Sequence, residues 1–80
     1  MSIKIVFSVF DSKAQAFLQP IFATTRGVCL RMFIAAVNDE AHEFHKFAGD
    51  YTLFELGEFD EATGKFVSKA TPESLLLAAA

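Results

Sequence analysis

Hydrophobic and polar positions alternate at the start of the chain. Ile3, Ile5, Phe7 and Val9 fall on one side of an extended segment, with Lys4, Val6, Ser8 and Phe10 on the other. A period of two predicts a strand with one strongly apolar face and one mixed face. Asp11-Ser12-Lys13 is a polar break suited to a turn. Residues 15–23 read as a second strand pairing back on the first. Pro20 has no N–H to give a ladder, which places this strand at an edge or a bulge.

The pattern then changes period. Thr24 or Thr25 caps a helix that runs to about Asn38. At about 100° per residue, its apolar side chains from Val28 through Met32, Ala36, Cys29, Phe33, Val37 and Leu30 to Ile34 cover an arc of about 240°. Gly27, Arg31, Ala35 and Asn38 line the strip that remains. A surface helix needs an apolar arc of only about 100°, so this one is expected to touch one apolar layer on one side and a second layer, or a second subunit, on another. Residues 39–48 read as a short second helix with Phe44 and Phe47 turned inward and Glu40 and Glu43 outward. Tyr51 to Phe59 and Lys65 to Lys69 are the third and fourth strands. Residues 60–64 join them through a type I turn with Gly64 in the left-handed position. Thr71-Pro72-Glu73 resembles a helix start, and Ser74 to Ala80 follows as an apolar tail, flexible or docked on a partner subunit. The fold class expected is α+β in a single domain over residues 1–80: an antiparallel sheet of about four strands, in ββαββ order, packed on one main helix.

Size makes the apolar content significant. An 80-residue domain has a marginal core, and such domains usually gain stability from a staple, a metal or a partner. Cys29 is the only cysteine, so no intramolecular disulfide can form and thiolate-rich metal clusters are excluded. Ten phenylalanines among 52% hydrophobic residues are more than a lone small domain hides, so self-association as a dimer or higher oligomer is expected. Leu30, Ile34, Val37, Leu75 and Leu76 are the candidate interface residues. No stretch approaches the ~18 apolar residues of a membrane span. A lone thiol and an N-terminus without signal-peptide features point to a reducing cytoplasm.

Charge is uneven along the chain. Residues 1–35 carry Lys4, Lys13, Arg26 and Arg31 against Asp11 alone, while residues 36–80 carry three lysines against nine acids. An acidic total of −3 argues against indiscriminate nucleic-acid binding and leaves room for a local basic face. Residues Thr24, Thr25, Arg26 and Gly27 combine free helix N–H groups, hydroxyls and a guanidinium that could hold one phosphate; the plainer reading is capping, with Arg26 in solvent. Phe10, Phe17, Phe22 and Phe66 lie near Lys4, Lys13 and Lys65, a combination on which single-stranded nucleic acid can stack; the plainer reading is core or interface. Asp39, His42 and His45 lack a third strong ligand and read as structural, so no metal and no other cofactor is expected. Cys29 sits mid-arc as an inert core thiol. Glu55, Glu58, Asp60 and Glu61 read as solvated. With no activated nucleophile and no glycine-rich phosphate loop, an enzyme is not expected.

Three segments carry a family likeness: Phe7-Ser-Val-Phe-Asp-Ser-Lys-Ala-Gln-Ala-Phe-Leu-Gln-Pro-Ile-Phe22, Ala36-Val-Asn-Asp-Glu-Ala-His-Glu-Phe-His-Lys46 and Asp50-Tyr-Thr-Leu-Phe-Glu-Leu-Gly-Glu-Phe-Asp60. Over about residues 3–70 the chain resembles the small non-structural protein, the fifth viral protein, of gokushoviruses, single-stranded-DNA phages of the microvirus group. The resemblance implies a phage protein of the host cell cytoplasm that associates with single-stranded DNA in genome synthesis and packaging. It supplies no site residues. The candidate DNA contacts are therefore Lys4, Lys13, Arg26 and Arg31, with Lys65 and Lys69 as outer members, and steeply salt-dependent binding is expected of them. Such binding requires the basic first half to gather on one face. The alternative is an adaptor that binds a phage replication or procapsid protein through the apolar excess.

Overall fold

The computed structural model describes residues 2–80. Two helices lie with a curled antiparallel sheet whose strands are β1 (Ile3–Asp11), β2 (Ala16–Phe17), β3 (Ile21–Ala23), β4 (Tyr51–Asp60) and β5 (Lys65–Leu77). The helices are α1 (Arg26–Asn38) and α2 (Glu43–Lys46), the latter followed by one 3-10 turn over Ala48–Asp50. The order across the sheet is β2-β1-β4-β5, with β3 also paired to β1. The single second strand expected over 15–23 is thus two short pieces along one edge of β1, interrupted at Leu18-Gln19-Pro20, where the missing proline N–H breaks the ladder.

The first hairpin turns on two local devices. Asp11 Oδ1 accepts from the N–H groups of Lys13 and Ala14 at 2.9 and 3.2 Å, and Gln15 takes a positive φ of 56° to bring the chain back. The β4–β5 hairpin repeats the arrangement. Asp60 Oδ1 accepts from Ala62 N–H at 2.9 Å, and Gly64 occupies the left-handed position at φ 76°.

Thr25 caps α1, its hydroxyl accepting from Val28 N–H at 3.1 Å. The helix lays Cys29 and Phe33 onto Phe7, Val9, Ala23, Tyr51, Leu53 and Ala78, and these eight residues form the core. Ile5, Phe7 and Val9 thus face the helix, as the alternation of β1 requires. Only part of the wide apolar arc is covered: Met32 and Ile34 remain 54% and 45% exposed. In the short helical segment Phe44 packs on the core, but Phe47 is exposed rather than tucked inward.

The C-terminal segment departs most from expectation. Thr71-Pro72-Glu73 starts no helix, because β5 continues through it to Leu77. As the outer strand of the sheet, β5 can hold a proline whose missing N–H costs no ladder bond. Residues 73–77 pair with Leu53–Glu55 and Thr52 of β4, so the supposed tail is a strand of its own chain. Leu75 and Leu76 pack against the core and Ala78 is buried within it.

Candidate nucleic-acid interface

One irregularity in β4 sets the character of the sheet's second face. Val6 pairs with Gly57 but Phe7 pairs with Glu55, so Leu56 is an extra residue bulged out of the ladder. A bulge shifts the in–out phase of everything beyond it. Before Leu56, Tyr51, Leu53 and Glu55 face the helix and Phe54 faces away. After it, Phe59 stands opposite Lys4, on the side away from the helix. The bulge thereby places Phe54 and Phe59, five residues apart, on the same face.

The register of the other strands adds to that face. Phe17 lies opposite Phe10, Phe22 opposite Val6, and Phe66 opposite Phe59. The rings gather into two trios. In the first, Phe17 is 4.9 Å from Phe10 and 5.4 Å from Phe54 between ring centroids. In the second, Phe59 is 5.6 Å from Phe22 and 4.7 Å from Phe66. Each trio has the tilted or edge-on packing that aromatic pairs prefer. No helix covers either one, and Phe17, Phe22 and Phe66 are 42%, 46% and 62% exposed. Between them lie the small buried side chains of Val6 and Ser8; the Ser8 hydroxyl donates to the Leu18 carbonyl at 2.6 Å. The four phenylalanines expected beside lysines are all here. Phe54 and Phe59 were missed, since only the bulge and the strand order bring them to this side.

Gly57 shapes the far end. A Cβ there would collide with the Val67 carbonyl and lie 2.9 Å from Ser68 Cα, so only glycine lets β5 cross so close. Beside it, Val6, Leu56, Phe66 and Val67 line a shallow cleft of about 150 Å³.

The cations do not gather on one face. Arg26 Nε donates to Glu55 Oε1 at 2.9 Å, and its Nη2 lies 3.2 Å from Glu73. Lys69 bridges the same carboxylates at 3.3 and 3.2 Å. Glu55 and Glu73 are direct partners across β4 and β5, a like-charge pair that would repel without these cations. Glu55 is therefore no solvated strand acid: it is 8% exposed. Burial alone would raise its pKa, but hydrogen bonds from Arg26 and Lys69 outweigh that and hold it below the ordinary carboxylate range. Arg26 and Lys69 are held above theirs mainly by hydrogen bonds to Glu55 and Glu73.

Of the phosphate candidates Thr24, Thr25, Arg26 and Gly27, Arg26 is turned to two carboxylates and the Thr25 hydroxyl caps α1. Lys4 reaches Glu61 at 3.6 Å. Lys13 lines a cleft with Asp11, Glu43 and Asp50 at the opposite end of the sheet from Lys65. Arg31 is exposed on the strip of α1 opposite Cys29 and Phe33, away from the sheet. Lys4, opposite Phe59, stands on the same face as the ring trio of Phe22, Phe59 and Phe66, whereas Lys65, opposite Asp60 and next to Phe66 along β5, falls on the other face. Of the five candidate interface residues, Leu30, Val37, Leu75 and Leu76 pack on the chain's own core, leaving Ile34 exposed.

The remaining candidates have structural tasks. His42 Nδ1 accepts from Phe44 N–H at 3.0 Å and caps α2, while His45 Nδ1 lies 2.9 Å from the Val37 carbonyl. Cys29 is buried in the core, and burial pushes its thiol pKa up. Among the described residues no group of three or more His, Cys, Asp or Glu could hold a metal ion, and no helix is long and apolar enough to cross a membrane.

Fold and face together define a small α+β domain with one sheet face covered by a helix and the other left aromatic. The phage ORF5 protein family model matches residues 4–80, nearly the whole chain, and the protein belongs to that family. No curated protein and no solved structure matches it.

Proposed function

We propose that this phage protein acts without chemistry, holding single-stranded DNA on its aromatic sheet face during viral genome synthesis and packaging in the host cytoplasm. The observation that carries the reading is the pair of phenylalanine trios on an uncovered sheet. Every base has a π-face, so exposed rings on a sheet bind single strands with little sequence preference. Membership of a phage family supports the setting.

The ion pairs change the expected physics of binding. Arg26 and Lys69 are neutralised by Glu55 and Glu73, which leaves Lys4, in a looser exposed pair with Glu61, as the cation on the ring face. One phosphate contact on a single strand gives a log–log salt slope of about −0.7. Stacking, not counterion release, is then the main contribution, and the steep salt dependence expected from six cations is replaced by a shallow one. Titration of a labelled oligothymidylate at two salt concentrations tests this. Micromolar binding with a shallow slope is the expected result; no binding at low salt and micromolar protein defeats the reading.

Self-association belongs to the same proposal, with Ile34 and Met32 on the outer side of α1 as its contact. Those two exposed side chains also favour the second reading, an adaptor for a phage replication or procapsid protein. Nuclease-resistant association with one such protein, lost on Ile34→Glu, would favour the adaptor.

A further inference from the structure

We infer that the aromatic face is a two-platform site, resting on the proposal that it binds single-stranded nucleic acid: Phe22, Phe59 and Phe66 take one base and Phe10, Phe17 and Phe54 another. Each platform sets exposed against half-buried rings: Phe22 and Phe66 on Phe59 in one, Phe17 on Phe10 and Phe54 in the other. Such backing holds the outer rings in place and lowers the ordering cost of stacking. Between the platforms β1 presents only Val6 and Ser8, so the strand must bridge a stretch without rings.

The spacing is set by β1. Phe17 pairs at Phe10 and Phe22 pairs at Val6, four residues away, which is about 13 Å at the rise of a β-strand. At ~3.4 Å per stacked nucleotide, such a gap corresponds to about four nucleotides. Lys4, opposite Phe59, adjoins only the platform of Phe22, Phe59 and Phe66, where it can meet a phosphate flanking the first base. That platform is the anchor, and the other adds affinity only for strands long enough to reach it. Ser8, on the floor between them, has its hydroxyl committed to the Leu18 carbonyl and does not read base edges.

Oligothymidylates of two to twelve nucleotides, titrated against the full chain and its variants, test the inference. The wild-type protein is expected to gain at least about tenfold in affinity between two and roughly five nucleotides, the scale of one stacked base, and then to level off. Phe17→Leu, which keeps apolar bulk but removes the ring, should abolish that step and leave dinucleotide binding unchanged. Phe22→Leu with Phe66→Leu should weaken every length by about tenfold or more. Affinity that climbs evenly with length, or a Phe17→Leu loss equal at two and twelve nucleotides, overturns the two platforms while single-strand binding stands. Absence of binding at every length overturns the single-strand reading itself. If light scattering then shows a dimer that the Phe22 and Phe66 changes dissociate, the occupant of this face is a second copy.

Discussion

Arg26 Nε donates to Glu55 Oε1 across 2.9 Å, joining the first residue of α1 to the middle of β4. The bond explains two things at once. It holds a buried carboxylate on the helix side of the sheet, and it turns toward two acids a still-exposed guanidinium that the helix start would otherwise offer to phosphate. Because Lys69 and Glu73 complete the group, the network also ties β5 to both elements. It fastens the fold and contributes nothing to a basic surface.

The network gives stability a definite pH dependence. Glu55 is held below its ordinary value in the folded chain, so its contribution is present above the unfolded-state pKa of about 4.3. It is lost as pH falls through the lowered folded value. Glu55→Gln is expected to flatten that acid limb in thermal melts between pH 3 and 6. At neutral pH it should cost about 1 kcal/mol, because Arg26 and Lys69 can return to water.

Gly57→Ala tests the close crossing of β4 and β5. The added methyl meets the Val67 carbonyl, which is backbone and cannot swing aside. Overpacking of this kind costs about 1–3 kcal/mol, read as a lower urea midpoint. Phe66 and Val67 should shift most in amide spectra, since their strand must move.

The two hairpins make a paired prediction about backbone handedness. Gln15 holds a left-handed φ of 56° where Gly64 holds 76° in the second hairpin. A non-glycine residue there costs about 1 kcal/mol, so Gln15→Gly is expected to raise the melting temperature. Gly64→Ala should lower it by a comparable amount. Differential scanning calorimetry of both variants decides the matter.

Leu53, on β4 between β1 and β5, is fully buried in the core. Leu53→Ala should destabilise by about 2–5 kcal/mol through lost burial and a cavity. Phe66→Ala, at an exposed ring, should change stability by roughly 0.5 kcal/mol or less. Chemical denaturation that finds the two equal would show that the face around Phe66 is covered in solution.

The sequence by itself determined the features that depend on near neighbours. The alternation of Ile3, Ile5, Phe7 and Val9 marks the core face of β1, Thr25 caps the helix through an N–H three residues on, and Gly64 supplies the turn. The apolar excess was equally legible as a quantity, and Cys29 as a core thiol. What only the tertiary structure decided depends on which strands become neighbours. The extra residue at Leu56 reverses the phase of β4 and brings Phe59 beside Phe22, from a strand 37 positions distant. Glu55 looked solvated because its partners stand 29 and 14 residues away. Thr71-Pro72-Glu73 carries a local helix-start signal, which is overruled because an edge strand tolerates proline and the core takes up Leu75 and Leu76. Local signals report the cost of a backbone shape; the identity of its neighbours is set by burial and pairing across the whole chain.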